Sequence, residues 1–319
     1  MSLVKPFTGI LPAMQLPYRD DLSIDEVELR RFARWLASHQ GIGGLVTNGH
    51  TGEVFALSPK ERAEATRIVA DEVRDLKVPV ISGICCEGMA EAVEHAQMAE
   101  EAGAQGLLVM PPHYWLRFGM QPQHVIDHFT AISKAVDINL VVHIYPAWTK
   151  ATYSSELLAA LAAVPRVTTM KIGTREMSKY DRDLAAVRAA NPRITMLTCH
   201  DEYLLTSMVQ GLDGALVGFA SFIPEVIVDL YQAVCDGDLT RARAVQSKIN
   251  PLKEVVYASG EPSGDAHARM KTAMMLAGRL KSNLTRPPVT APSGAMLERI
   301  RKAVADAKLS PAGELAAVS

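Results

Sequence analysis

One lysine ends an apolar, strand-like segment, where its amine could act as a nucleophile. The segment reads Val167-Thr168-Thr169-Met170-Lys171, and the alternation of side chains along a strand puts Val167, Thr169 and Lys171 on one face. If Thr169 faces the protein interior, Lys171 does too. An amine in that position is partly desolvated, which favours the neutral form that attacks a ketone and forms an imine. An ordinary solvated lysine is the alternative, and the neighbouring residues decide between the two.

A histidine and a tyrosine share one face of another apolar segment, Val141-Val142-His143-Ile144-Tyr145. The same alternation aligns His143 and Tyr145 with Val141. If that face is inward, the imidazole and the phenol form a candidate acid–base pair, and both imine formation and carbon–carbon cleavage need proton transfer. The alternative is a core histidine whose ring nitrogens are hydrogen-bonded by its surroundings.

A glycine-containing pentapeptide, Gly49-His50-Thr51-Gly52-Glu53, could bind an anion. Two glycines in five residues permit a tight backbone whose amides turn toward a carboxylate. An ordinary turn between a strand and a helix is the other interpretation of this segment.

Short apolar segments alternate with longer amphipathic ones along the chain, and this is typical of buried strands covered by helices. Eight strand–helix units predict an α/β fold, a (β/α)₈ TIM barrel, with a doubly wound sheet as the alternative. In a barrel the C-terminal strand ends carry the active site. The predicted strands are Thr8–Leu11, Gly44–Thr47, Val78–Ile84, Gly106–Met110, Asn139–Ile144, Val167–Lys171, Thr195–Cys199 and Gly214–Gly218. The predicted helices between them are Ile24–His39, Pro59–Asp75, Ala90–Ala102, Gln123–Ala135, Ser155–Ala163, Tyr180–Ala190 and Glu202–Gln210, with Ser23, Ser58 and Ser154 as caps.

Four further helical segments follow the eighth strand, at Pro224–Cys235, Asp238–Tyr257, Asp265–Ala277 and Gly294–Ala307. The first completes the barrel, and the apolar faces of the others must cover something. We therefore expect a catalytic barrel over residues 1–236 and a C-terminal helical extension over residues 237–319 that packs on it.

The composition favours a small-molecule ligand over a macromolecular one. The chain has 319 residues, of which 48% are hydrophobic and 21% charged, and its formal net charge is -2. Because the basic residues are scattered, we expect no nucleic-acid partner and no membrane partner. No apolar run reaches about 18 residues, so a cytoplasmic protein is expected. The four cysteines lack a CxxC pair and are interpreted as buried thiols.

These residues resemble the dihydrodipicolinate synthase / N-acetylneuraminate lyase family of class I aldolase barrels. The resemblance covers nearly the whole chain, and its most specific element is the 49–53 segment, which is similar to the GxTGE loop of that family. It implies that Lys171 is the Schiff-base lysine, that Thr51 binds the pyruvoyl carboxylate and that Leu216 contacts pyruvate through its backbone. It also implies a homotetramer or homodimer that uses no metal and no organic cofactor.

Three positions depart from the pattern of that family. His143 stands where the family carries its relay tyrosine, so the proton relay is either His143 or Tyr145. His50 replaces a hydroxyl residue of the same relay. Trp148 stands where the synthases carry an arginine for the carboxylate of the second substrate, and an indole suits an apolar or aromatic acceptor instead.

The resulting hypothesis is a Schiff-base-forming lyase, an aldolase or dehydratase, that acts on pyruvate or a 2-oxo acid such as a keto-deoxy sugar acid or aldehyde adduct. An authentic 4-hydroxy-tetrahydrodipicolinate (dihydrodipicolinate) synthase is the first alternative, disfavoured by Trp148. A non-catalytic 2-oxo-acid-binding barrel is the second, suggested by the missing relay tyrosine. If His143 is the acid–base group, its ordinary pKa predicts an inflection of kcat/KM between about pH 6 and 8.

Overall fold

Eight parallel strands form one sheet in the computed structural model, which describes residues 5–145, 149–257 and 264–309. The strands are β1 (Gly9–Pro12), β2 (Leu45–Thr47), β3 (Val80–Ile84), β4 (Gly106–Val109), β5 (Asn139–Ile144), β6 (Val167–Ile172), β7 (Thr195–Thr198) and β8 (Gly214–Val217). From β2 to β8 each strand pairs with its sequence neighbours, and β1 pairs with β8. Isolated parallel bridges, Ile10 to Ile42 and Ala13 to Val46, bring β1 beside β2. The sheet is therefore a nearly closed barrel, as predicted, and the doubly wound alternative is wrong.

Helices alternate with the strands and continue beyond the last of them. They are α1 (Glu26–Ala37), α2 (Pro59–Glu72), α3 (Met89–Glu101), α4 (Tyr114–Phe118), α5 (Pro122–Ala135), α6 (Ser155–Leu161), α7 (Met177–Ala190), α8 (Leu204–Met208), α9 (Phe219–Phe222), α10 (Pro224–Cys235), α11 (Leu239–Val256), α12 (Ala266–Leu276) and α13 (Gly294–Ala307). Every predicted helix is present. The short helices α4 and α9 were not predicted, because four or five residues are too few to show a helical period.

Serine caps begin two of the barrel helices. The Ser58 side chain accepts from the amide of Glu61, whose carboxylate accepts from the amide of Ser58, so α2 starts with a capping box. The Ser154 side chain accepts from the amide of Leu157 and so caps α6. The predicted cap Ser23 is wrong, because Asp25 caps α1.

The barrel interior shows which face of each strand is turned inward. One apolar cluster fills it, made of Phe7, Leu11, Ala13, Val46, Ile81, Leu108, Val141, Leu197 and Leu216. The polar Thr169 of β6 is fully buried at this level and bonds to Thr195, with 2.9 Å between the hydroxyl oxygens. Because Thr169 and Val141 both face inward, the alternation along β6 and β5 turns Lys171 and His143 inward as well.

The C-terminal helices pack on the outside of the barrel. Ile249, Met274 and Ile300 of α11, α12 and α13 belong to one apolar cluster with Phe32 and Leu36 of α1. A boundary between residues 236 and 237 stays a prediction. No helix within the described ranges is long and apolar enough to cross a membrane.

Candidate active site

Lys171 lies near the C-terminal end of β6, inside the barrel. Its position is in register with His143 of β5 and with Leu197 of β7. The residue is 8% exposed, and its amine lies close enough to the thiol of Cys199 to influence the pKa of that thiol. Across residues 5–145, 149–257 and 264–309, no carboxylate forms a salt bridge with Lys171. Within the described part of the chain, the polar groups beside the amine are the thiol of Cys199 and the imidazole of His143.

His143 is buried beside Lys171 with one ring nitrogen unpartnered. Its Nε2 is 3.6 Å from the Cys199 Sγ, while its Nδ1 has no hydrogen-bond partner in the described part of the chain. Burial, and next the charge of Lys171, lower the pKa of His143 well below its usual value. Burial therefore favours the neutral imidazole. The inflection of kcat/KM predicted between about pH 6 and 8 rests on the ordinary pKa of histidine, and this environment does not favour that value.

Tyr145 and His50 form a second polar pair at the same end of the barrel. The Tyr145 hydroxyl is 3.3 Å from the His50 Nε2. Burial raises the pKa of Tyr145 well above its ordinary value, and it lowers the pKa of His50 to about 3, with the charge of Lys171 as the next cause. The His143 ring centroid is 5.1 Å from that of Tyr145 and 6.0 Å from that of His50. The structure thus brings together three rings that the sequence singled out.

The glycines of the 49–53 loop play a different role from the one that the sequence suggested. The left-handed φ angles belong to Asn48 (55°) and Glu53 (59°), whereas neither Gly49 nor Gly52 adopts one. A Cβ on Gly52 would lie 2.9 Å from the carbonyl oxygen of Met14. Gly52 is therefore needed for close approach to the end of β1, and not for an unusual φ angle.

The amides of this loop are divided between the fold and a potential ligand. The Gly52 amide donates to the carbonyl of Gly49 (3.0 Å), and the Glu53 amide donates to the carbonyl of His50 (3.0 Å). The amides of His50 and Thr51 have no hydrogen-bond partner among the residues that the structure describes. The half-buried Thr51 and these two amides are the donors left for a carboxylate, so a direct bond from the Gly52 amide is not supported.

Leu216 and Trp148 are the two remaining candidates for substrate binding. Leu216 of β8 is paired with Leu11, and its side chain is fully buried in the interior cluster. Only its backbone could contact a ligand. Trp148 lies outside the described residues.

The chain matches the model of the "Dihydrodipicolinate synthetase family" over residues 6–307. It belongs to that family. Family members are lyases and synthases, and this chain is therefore an enzyme of that general class.

Relatives and solved structures agree with this membership. The chain is 31% identical to a 4-hydroxy-tetrahydrodipicolinate synthase of Haloarcula marismortui, with 94% of this chain and 93% of the relative covered. It is 30% identical to an uncharacterized DapA-like lyase of Thermofilum pendens, with 92% and 95% covered. Among solved structures, YagE, a prophage protein of the dihydrodipicolinic acid synthase family from E. coli K12 in complex with pyruvate, superposes with a TM-score of 0.86. The identity is 26%, and 95% of this chain and 99% of YagE are covered.

This member of the dihydrodipicolinate synthetase family also carries site residues that the sequence reasoning missed. Cys199 was interpreted as an ordinary buried thiol, yet its Sγ lies between His143 and Lys171. The available signal was the alternation on β7, because Cys199 follows the inward Leu197 by two residues. Cys85 after β3 was likewise interpreted as a buried thiol, and its Sγ is 3.6 Å from the Nε2 of His113 after β4. Only the position of Cys85 after a strand end could have indicated this contact.

A buried acid connects the site end of the barrel with the extension. The Asp201 carboxylate accepts from the amide of Phe219 at 3.0 Å and from the hydroxyl of Tyr257. Burial raises the pKa of Asp201 to about 6. The contacts join the loops after β7 and β8 to the end of α11.

Proposed function

We propose that the chain is a class I lyase that forms an imine between Lys171 and pyruvate or another 2-oxo acid. The observation that carries this proposal is the inward-facing Lys171, buried without a carboxylate partner within the described ranges. An inward-facing lysine amine that forms no ion pair is free to act as a nucleophile toward a carbonyl carbon.

In the proposed reaction, the Lys171 Nζ attacks the carbonyl carbon of the 2-oxo acid. A carbon–nitrogen bond forms as the carbonyl π bond breaks, and a proton moves from nitrogen to the oxygen to give a carbinolamine. A second proton on that oxygen lets it leave as water, and the protonated imine remains. Loss of a proton from the neighbouring carbon gives an enamine that attacks the aldehyde carbonyl; in the cleavage direction the electrons of the breaking carbon–carbon bond flow into the protonated imine and the aldehyde leaves.

Proton transfer in this reaction is assigned first to His143. Its unpartnered Nδ1 is buried, and the residue is in register with Lys171. A neutral imidazole can take a proton from one atom and return it to another. The Tyr145 hydroxyl already has a partner in His50, and it is the second candidate.

The 2-oxo acid carboxylate is assigned to the 49–53 loop. The Thr51 hydroxyl and the free amides of His50 and Thr51 supply three donors, and Gly52 lets the loop approach β1 closely. Backbone amides grouped in this way are suited to an anion. The match to YagE, whose solved structure contains pyruvate, supports a 2-oxo acid as the ligand.

Synthesis of 4-hydroxy-tetrahydrodipicolinate is the second candidate function. The synthase of Haloarcula marismortui, which carries that name, is 31% identical to this chain. Trp148 speaks against it, because it replaces the arginine that the family pattern places there.

The imine is tested by incubating the protein with pyruvate and borohydride and measuring the intact mass. We expect one reduced adduct per chain and a parallel loss of turnover. The absence of any adduct would contradict the proposal.

The second substrate is tested with a panel of sugar acids, aromatic aldehydes and aspartate semialdehyde, by following pyruvate release or consumption. We expect aspartate semialdehyde to be a poor substrate. Condensation as efficient as that of a dedicated synthase would establish the second candidate, and an adduct without turnover on the whole panel would favour a non-catalytic binding barrel.

A further inference from the structure

Three side chains with metal-ligating atoms meet above the imine cluster, each from the loop after a different strand. They are His50 after β2, Cys85 after β3 and His113 after β4, and their ligand atoms all lie within 4.8 Å of one another. The rings of His50 and His113 stack with 5.8 Å between centroids. We propose that these three residues bind one Zn²⁺ ion per chain and leave a fourth coordination position open.

The spacing of the donor atoms suits this ion. Two ligands that share a tetrahedral Zn²⁺, each about 2.0–2.3 Å from the metal, stand roughly 3.5 Å apart. Cys85 Sγ and His113 Nε2 are 3.6 Å apart. Thiolate and imidazole are the donors that Zn²⁺ prefers, and sites with three protein ligands commonly keep one position for water or substrate.

Glu87 supports one of the proposed ligands from behind. Its carboxylate accepts from the amides of His113 (3.1 Å) and Tyr114 (2.9 Å), and its Oε1 is 3.8 Å from the His113 Nδ1. A carboxylate on the far nitrogen of a histidine is the usual support of a ligating imidazole. At 3.8 Å Glu87 is within ion-pair distance of that nitrogen, and a small movement would make the hydrogen bond.

A neighbouring group of potential ligands is less suited to a cation. Cys86, Glu91 and His95 also lie close together. The Arg62 Nη1, however, is 3.2 Å from the His95 Nδ1, and the charge of Arg62 also acts on the Cys86 thiol. A guanidinium among the donor atoms opposes a second positive charge. The same Arg62 binds the carbonyl of Cys85 at 3.0 Å and so fixes the backbone of the proposed site.

The proposed Zn²⁺ site does not depend on the imine. Lys171 is not one of its ligands, so Lys171→Ala should abolish the adduct and leave Zn²⁺ binding intact. Failure of one proposal is therefore distinguishable from failure of the other.

The test is a Zn²⁺ titration of the chelator-treated protein by calorimetry, with a chromophoric chelator as competitor. We expect one ion per chain. Cys85→Ser and His113→Gln should each weaken the affinity by more than about 100-fold, and Glu87→Gln by about 10–100-fold, as is typical of such supporting carboxylates. With Co²⁺ in place of Zn²⁺, the wild type should show thiolate-to-metal absorption, and Cys85→Ser should not.

Matched controls are Cys86→Ser in the rival group and His124→Gln, an exposed histidine on α5; both should bind Zn²⁺ like the wild type. Thermal melting checks that each variant folds. If Cys85→Ser does not fold, His113→Gln decides, because His113 is 40% exposed. The proposal is overturned if no ion binds at one per chain, if binding survives the folded Cys85 or His113 variants, or if Cys86→Ser abolishes it.

Discussion

Lys171 and Lys271 are both buried in this barrel, but their surroundings differ in charge. The Nζ of Lys271 is 2.8 Å from the Glu53 carboxylate and 2.6 Å from the carbonyl of Leu284, and it lies over the ring of Tyr18. Lys171 has the neutral thiol of Cys199 as its polar contact and the neutral His143 in register. The first amine is paired with a carboxylate, whereas the second is the one that we propose as the nucleophile. Burial alone does not separate the proposed nucleophile from a structural lysine, and the partners do.

Lys271 nevertheless acts on the loop that we assign to the substrate of Lys171. Glu53 ends the 49–53 segment and is fully buried with Lys271 of α12. Its other carboxylate oxygen accepts from the amide of Arg286 at 3.0 Å. The C-terminal extension therefore fixes the loop that we assign to the substrate carboxylate, and Lys271 is a positioning residue for the site.

The largest effect is expected from Lys171→Ala. Because the variant lacks the nucleophile, turnover should fall by more than the roughly 10²–10⁴-fold that an acid–base group contributes. The measurement is kcat with the best substrate of the panel, with thermal melting as the check on folding. Turnover within tenfold of the wild type would mean that another group forms the covalent intermediate.

Lys271→Met should act on stability. Removing one partner of a buried ion pair costs about 3–5 kcal/mol, because it leaves the other charge uncompensated. Urea unfolding measures this loss. The double variant Glu53→Gln/Lys271→Met should lose less than the sum of the two single variants. A Lys271→Met protein as stable as the wild type, but unable to form the adduct when folded, would reverse the roles of the two lysines.

His143→Ala and Tyr145→Phe test which group moves protons next to Lys171. We expect His143→Ala to lower kcat by roughly 10²–10⁴-fold and Tyr145→Phe to be milder, since the phenol is engaged with His50. Borohydride trapping should persist in both, at a reduced rate. The opposite ranking would assign the relay to the tyrosine.

Thr51→Val tests the carboxylate assignment. A hydrogen bond to a charged group contributes about 1.5–3 kcal/mol, so KM for the 2-oxo acid should rise by roughly 10–150-fold with little change in kcat. Thr240→Val, an exposed position on α11, is the matched control. Equal KM values for the two variants would remove Thr51 from the binding site.

The smallest effect concerns the pH dependence of stability. Burial lowers the pKa of His50 to about 3, of His128 to about 4 and of His143 well below the ordinary value. Below about pH 6.5 the unfolded chain binds protons on these histidines and the folded protein does not. Their contribution to the free energy of unfolding is therefore complete above that pH and is lost as the pH falls.

From pH 7 to pH 6 the three histidines should cost about 2 kcal/mol of stability. Asp201, whose raised pKa lets it gain a proton in the folded state, offsets a small part of this loss. Urea unfolding at both pH values measures the net loss, and His128→Phe should reduce it. A protein that is more stable at pH 6 would contradict the burial of neutral imidazoles beside Lys171.

The strands were predictable from the sequence, and much of what surrounds the site was not. Alternation along β5 and β6 is a local geometric rule, and it placed His143 and Lys171 on the inward face. The ion pair of Glu53 and Lys271 joins residues that are 218 positions apart, and no local pattern specifies such a contact. The role of Gly52 likewise depends on Met14, a residue of another loop. Cys85 and His113 meet only because neighbouring strands end at the same level.

The most direct test of the central claim is to locate the reduced adduct by peptide mapping after treatment with pyruvate and borohydride. We predict that the modification lies on Lys171 in the wild type and in Lys271→Met, and that Lys171→Ala acquires none. A modification on Lys271 or on any other lysine, or an adduct that persists in Lys171→Ala, would contradict the account.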